Sequence, residues 1–101
     1  MTRWFTWDRV KAATNLGKHG VSFETAQLVF ADPFALSDQD RIEGGEHRWQ
    51  TIGMVGGVLV VMVAHTLTDH DDGDETIRII SARAATSAER KRYEQERRRH
   101  L

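Results

Sequence analysis

Two periods of apolar and polar residues alternate along this chain, and the switches between them mark its elements. Residues 2–7 (TRWFTW) are β-prone and aromatic and predict a first strand. From Asp8 to His19 the period becomes helical. Lys11, Asn15 and Lys18 form a polar stripe with His19 one step away, and Val10, Ala13 and Leu16 or Gly17 form an apolar back. Asp8 suits the N-cap, because its carboxylate can accept a free backbone N–H, and Gly20 suits the left-handed residue that ends a helix. Ser22 opens a second helix, Phe23 to Phe30, whose Phe23, Ala26, Val29 and Phe30 form the buried face. Asp32-Pro33 stops it, since the residue before proline is biased away from helix.

Beyond the proline the period is that of strands. Phe34 to Ser37 predicts a short edge strand and Asp38 to Gly45 a polar loop. Glu46 to Val55 is the next strand, Gly56-Gly57 a tight hairpin turn, and Val58 to Thr66 the returning strand. Val58 to Ala64 is apolar on both faces, which places this strand at the centre of the sheet. Asp69 to Glu75 is an acidic loop, Thr76 to Ala82 the last strand, and Thr86-Ser-Ala-Glu89 a capping box opening a helix to about Arg99. The order describes one α+β domain over residues 1–101: an antiparallel sheet of about four strands, with two N-terminal helices and a C-terminal helix packed on it.

Composition narrows the class. The chain has no cysteine, so disulfides and thiolate zinc sites are excluded, and a reducing, cytoplasmic setting is expected. No apolar run is long enough to span a bilayer. The net charge of −1 argues against wholesale capture of duplex nucleic acid, although Arg90 to Arg99 carries six Lys/Arg against two Glu. The acidic loop fails the EF-hand template, because a fit that places Gly73 at the turn puts Thr68 and His70 where carboxylates belong. The five histidines lack zincin spacing, so no metal or other cofactor is expected. His65 ends the central strand, either emerging at a sheet edge or buried with its bonds satisfied.

Several cations stand near strand ends. Arg83 precedes the capped helix, where backbone N–H groups already attract anions and a guanidinium suits phosphate or carboxylate. Alternation puts Arg78 and Ile80 on one face, opposite Ile77 and Ile79, and puts Glu46 and Arg48 together on one face of their strand. Taken singly, each reads as a structural ion pair.

Taken together, these segments resemble a known family. Phe5-Thr-Trp-Asp8, Lys11, Asn15, Lys18-His-Gly-Val-Ser-Phe23, Ala26, Val29-Phe30, Asp32-Pro33, Glu46, Arg48, Ile52-Gly53, Ile77 to Arg83, Ala85-Thr86, Glu89-Arg90 and Tyr93-Glu94 follow, in order, the pattern of the BrnT toxins of type II toxin–antitoxin modules. The resemblance implies a RelE-like fold and an endoribonuclease that blocks translation. It also implies neutralisation by a BrnA-type ribbon-helix-helix antitoxin and a toxin homodimer within the complex. One position departs from the pattern: Thr66-Leu67-Thr68 stands where family members read Thr-x-Arg.

Metal-free RNA cleavage needs a base for the 2′-OH, charge stabilisation at the phosphorane and an acid for the leaving oxygen. Under that resemblance Arg83 is the candidate phosphate clamp and Lys18 a second cation. His19 and His65 are the acid/base candidates, and Glu46 is a base or an orienter of Arg48. Lys11, Arg48, Arg78 and Arg90 are the cations for the RNA backbone. Two other readings stay open. One is a catalytically weak homologue that serves as a protein-binding module for a DNA-binding antitoxin. The other is a direct DNA binder using the basic C-terminal helix, which could instead receive the antitoxin.

Overall fold

The computed structural model describes residues 1–100. The strands are β1 (Arg3–Thr6), β2 (Leu36–Glu43), β3 (Glu46–Val55), β4 (Leu59–Asp69) and β5 (Glu75–Ala84). The helices are α1 (Arg9–His19), α2 (Phe23–Ala26), which tightens into a 3₁₀ turn over Gln27–Ala31, and α3 (Ser87–Arg99). The caps are those the sequence specifies. Asp8 accepts from the Lys11 N–H, Ser22 from the Thr25 N–H, and Thr86 and Glu89 complete the capping box. Gly20 takes φ 71°, where a Cβ would be strained, and its N–H closes α1 on the Leu16 carbonyl at 2.9 Å.

The sheet has five strands in the order β1-β5-β4-β3-β2, so β4 is central. It is mixed rather than antiparallel, because β1 runs parallel to β5, pairing Arg3–Thr6 with Glu75–Arg78. A parallel partner cannot be reached by a hairpin, and here the whole intervening chain forms the crossover. The second departure is β2, which occupies much of the expected polar loop. Its residues flank solvent on both faces, so no apolar alternation marks it, and all but Leu36 are exposed. Gly44 and Gly45, at φ 57° and 81°, make its turn into β3.

Each face of the sheet has its own core. Val61 and Val63 of β4 and Ile77, Ile79 and Ala82 of β5 pack with Phe23, Ala26 and Val29 under the N-terminal helices. Ile52, Val60 and Met62 pack with Tyr93 under α3. Tyr93 anchors α3 by donating to Asp32 at 2.5 Å, and the same carboxylate accepts from the Met54 and Phe34 N–H groups. Burial pushes the Asp32 carboxyl upward, but these donors outweigh it and hold the carboxyl below its ordinary value. Burial, reinforced by Asp32, pushes the Tyr93 phenol up to about 12.

Ile77, Ile79 and Ala82 share one core although strict alternation would separate Ala82 from the two isoleucines. The cause is a bulge. The ladder passes from His65↔Ile79 to Ala64↔Ser81, leaving Ile80 as an extra residue. The expectation that Ile80 shares a face with Arg78 fails for this reason. The same extra residue turns Arg83 to the α3 face, opposite Ala82, where it is paired with Met62.

α1 packs against β5 in an order that its hydropathy pattern inverts. The predicted apolar back is outside, with Val10 74% and Leu16 50% exposed, while Asn15 of the polar stripe is 6% exposed. β1 covers β5 only as far as Arg78, so the remaining edge of β5 has unpaired backbone groups. Asn15 takes the place of a neighbouring strand there. Its Nδ2 donates to the Ala82 and Val21 carbonyls, both at 2.9 Å, and its Oδ1 accepts from the Ala82 N–H at 3.1 Å.

Two substitutions test this packing. Asn15→Ala strands the Ala82 N–H and two carbonyls and is expected to lower unfolding free energy by about 2–4 kcal/mol, measured in urea. Gly53→Ala would set a Cβ 2.8 Å from Val29 Cγ1 and 3.0 Å from the Val29 carbonyl oxygen. A destabilisation of about 1–3 kcal/mol is expected there, because backbone must shift to admit the methyl group.

Candidate functional site

Six of the nine residues singled out from the sequence fall into two groups. The first lies on the α3 face of the sheet, beyond the end that α3 covers. Glu46 and Arg48 of β3 share the parity of Ile52, and Arg78 of β5 lies opposite Thr66 of β4, which shares the parity of Met62. Arg78 Nη2 donates to both Glu46 carboxylate oxygens, at 2.7 and 3.0 Å. Arg48 stands 3.8 Å from Glu46 and 3.9 Å from Glu43, beyond hydrogen-bonding range of either. Its Nε is buried and has no acceptor among the described residues. A buried donor left without an acceptor costs about 1–3 kcal/mol, so Arg48 carries a polar group that the described residues do not satisfy. Thr66, 5% exposed, floors the site between the two arginines.

The second group lies at the edge of β5. Lys11, Lys18 and His19 of α1 line a groove of about 240 Å³ with Val10, Thr14, Asn15, Ile80 and Ser81. Asn15 sets this geometry, because its bonds to Ala82 fix the helix against the strand. Two lysines and a histidine facing solvent can neutralise phosphate and exchange a proton.

Arg83 belongs to neither group. Its Nη1 and Nη2 donate to the two Glu89 oxygens at 2.7 and 3.0 Å, a bidentate pair beside the α3 N-terminus. The hydrogen bonds from Arg83 hold the Glu89 carboxyl down at about 2, against an ordinary 4.5, and the pair in turn raises Arg83. The structural ion pair expected of Arg83 taken singly is present, and it engages both terminal nitrogens of the guanidinium. Arg92 makes a second tie across the face, to Asp38 of β2. Arg90 is exposed on α3 with no ion pair among the described residues. Lys18 and His19 share a groove with Ile80 and Ser81, while Arg83 turns away from it to Glu89.

His65 is in the core and not at an emerging edge. It is 4% exposed, with Phe30 edge-on at 4.9 Å between ring centroids. Its Nδ1 lies 3.1 Å from the Thr66 carbonyl, which can only accept, so Nδ1 carries the proton and Nε2 accepts from the Thr51 hydroxyl at 2.7 Å. Desolvation lowers its pKa from the ordinary 6.5 and outweighs the bond to Thr66, with Arg3 acting in the same direction as burial. A neutral, doubly bonded imidazole in a core is the buried alternative that the sequence left open. What strand parity could not foretell was the 3₁₀ turn that brings Phe30 over it.

The comparisons agree with one another. Residues 7–89 match the family model described as ribonuclease toxin, BrnT, of type II toxin-antitoxin system. The crystal structure of the Brucella abortus ribonuclease toxin BrnT superimposes with a TM-score of 0.64 at 21% identity, covering 86% of this chain and all of that one. No curated protein matches the sequence.

The burial of His65 carries a pH dependence. The native imidazole resists protonation, so the unfolded chain binds the extra proton as pH falls below 6.5. Stability contributed by His65 is therefore complete above that value and is lost on the acid side. Urea unfolding at pH 7.5 and 5.5 should show this loss in the native chain and a smaller one in His65→Gln.

Proposed function

We propose that this chain, which belongs to the BrnT family of ribonuclease toxins of type II toxin–antitoxin systems, is an endoribonuclease that cleaves RNA by general acid–base chemistry without a metal. The observation that carries this reading is the cluster of Glu46, Arg48 and Arg78, in which Arg48, with its Nε lacking an acceptor among the described residues, stands beside a carboxylate that Arg78 holds. A scissile phosphate seated there would receive donors from Arg48 and Arg78, whose charge is permanent and whose planar forks match phosphate oxygens. Glu46 lies within reach of the same anion as the base that takes the 2′-OH proton, which is the group that separates RNA from DNA as substrate.

The groove at the β5 edge supplies the rest. Lys11 and Lys18 track the RNA backbone, and His19 is the exposed proton donor for the leaving 5′-oxygen. The Arg83 clamp assigned from the sequence becomes a positioning role, since Arg83 is committed to Glu89 and fixes the start of α3. Arg90 remains an exposed cation for the RNA backbone. The chain works in the cytoplasm, where its RNA is, and no helix among the described residues is long and apolar enough to cross a membrane. A BrnA-type ribbon-helix-helix antitoxin neutralises it within a complex that contains a toxin homodimer.

One observation favours the second reading, a weakened homologue kept for its antitoxin. Thr68 stands on the same face, paired with Thr76 beside Arg78, and leaves that end of the cluster without the family's arginine. Inducible expression in bacteria separates the two. The active toxin arrests growth and is reversed by its antitoxin, whereas a soluble, folded chain that causes no arrest supports the binding module.

For the active toxin, Glu46→Gln and His19→Ala should each lower RNA cleavage by at least about a hundredfold. Arg48→Ala should do the same through lost charge stabilisation, and all three should keep the native circular dichroism spectrum. Cleavage by folded Glu46→Gln at the unmodified rate would sink the base assignment.

A further inference from the structure

The sheet forks at one end. The ladder between β3 and β4 stops at Trp49↔His65, although β3 begins earlier, at Glu46, and β4 runs on to Asp69. Past that point β3 stays paired with β2, from Arg41↔Arg48 to Glu43↔Glu46. β4 stays paired with β5, from Thr66↔Arg78 to Asp69↔Glu75. Two ribbons therefore part at His65. The candidate cluster straddles the gap, with Glu46 and Arg48 on one ribbon and Thr66 and Arg78 on the other. Its internal distances are set by how far the fork opens.

His65 sits where the ribbons part, on the opposite face of the sheet, and shares the parity of Val61 and Val63. A chain of hydrogen bonds runs through it in one direction. Its Nδ1–H donates to the Thr66 carbonyl, the first on β4 beyond the last pair with β3, and its Nε2 accepts from the Thr51 hydroxyl. Thr51 has then given its only proton, so its oxygen accepts from the Ser37 hydroxyl at 2.7 Å. Ser37, Thr51 and His65 thus link β2, β3 and β4 in order. Thr51 is 1% exposed, and Phe30 packs edge-on against the imidazole. With a carbonyl at its end, this buried chain has a single arrangement while the ring is neutral.

We infer that His65 is a positioning residue for RNA cleavage: bonded to Thr51 on β3 and to Thr66 on β4, it fixes the direction in which β4 leaves β3, and so the placement of Glu46 and Arg48 against Arg78. The inference rests on the nuclease reading above and gives the buried histidine a part in it without contact with substrate. Thr66 transmits the effect, since its carbonyl is held by His65 while its side chain floors the cluster.

The test cuts the clasp from either end in the full chain. Thr51→Val keeps the β-branched shape and removes the hydroxyl. Thr51→Ser keeps the hydroxyl and leaves a methyl-sized hole. His65→Asn keeps a donor near Thr66 and is too short to reach Thr51. Each variant, and the Thr51→Val/His65→Asn double variant, is measured by urea unfolding and by single-turnover cleavage of a single-stranded oligoribonucleotide that contains every dinucleotide step. Affinity is measured with the all-2′-deoxy oligonucleotide of the same sequence, which has no nucleophile.

Thr51→Val and His65→Asn should each slow cleavage by the folded chain at least about tenfold, since a misplacement of about 1 Å can cost about a hundredfold. Affinity for the deoxy oligonucleotide should stay within about threefold, and Thr51→Ser should stay within about threefold in rate. The double variant should be no slower than the slower single one, because both cut the same link. If His65→Asn does not fold, the order of the two Thr51 variants decides alone. A packing role makes Ser the worse replacement and leaves the rate of folded Thr51→Val unchanged; that result overturns the inference while the nuclease reading stands. Affinity that falls in step with rate makes the clasp part of substrate binding and overturns it as well. An unmodified chain that cleaves no oligoribonucleotide sinks the nuclease reading itself, and the positioning role with it.

Discussion

A single buried amide fixes α1 against the edge of the sheet. β1 is too short to cover β5, and an open backbone edge would otherwise run beneath α1. Asn15 closes it with the donor and acceptor that a neighbouring strand would have offered. An apolar residue at that position would leave the Ala82 N–H dry and unbonded, so burial alone could not hold α1 there. Because the amide fixes both the distance and the rotation of the helix, it also decides that Lys11, Lys18 and His19 face the strand edge as a group. Structure and candidate chemistry depend here on the same three hydrogen bonds.

The bulge at Ile80 does comparable work on the strand itself. Without the extra residue, Arg83 would share a face with Ile77 and Ile79 and point into the helical core, where a guanidinium has no counter-ion. With it, Arg83 reaches Glu89 and secures the first turn of α3, while Arg78, on the near side of the bulge, stays on the open part of the same face with Glu46. One inserted residue thus divides two arginines of a single strand between a structural task and a proposed catalytic one. The faces of β5 have unequal duties: one carries core, the other carries charge.

Much of this was legible from residue pattern, and the failures have definite physical causes. Caps, stops and the three long strands were readable because each depends on local chemistry: an N-cap hydroxyl or carboxylate, a glycine at positive φ, an uninterrupted apolar run. β2 was hidden because an edge strand with solvent on both faces needs no apolar alternation. Its Gly44-Gly45 turn was the available signal, being of the same kind as the Gly56-Gly57 turn that was recognised. The parallel pairing of β1, the inward turn of Asn15 and the cover of Phe30 over His65 are tertiary facts, set by residues 72, 67 and 35 positions distant only after the sheet has closed. The pattern of α1 misled for a related reason. Its polar stripe satisfies a strand edge, and its Val10 and Leu16 are left to solvent.

The pairing of β1 with β5 also constrains how the molecule comes into being. Thr2 bonds to Asp74 across 72 residues, and Asn15 reaches Ala82 across 67. Hairpins β2–β3, β3–β4 and β4–β5 can each form as their second strand emerges, but β1 and α1 must wait, because loop closure over such a span precedes any contact that rewards it. At about 5–20 residues per second, synthesis alone imposes a delay of several seconds between the appearance of α1 and that of the strand it needs. Throughout that interval the lysines and histidine of α1 have no groove to line. A nascent chain short of residue 82 therefore carries the cations without their arrangement, and the ribosome making it is not confronted with an assembled site.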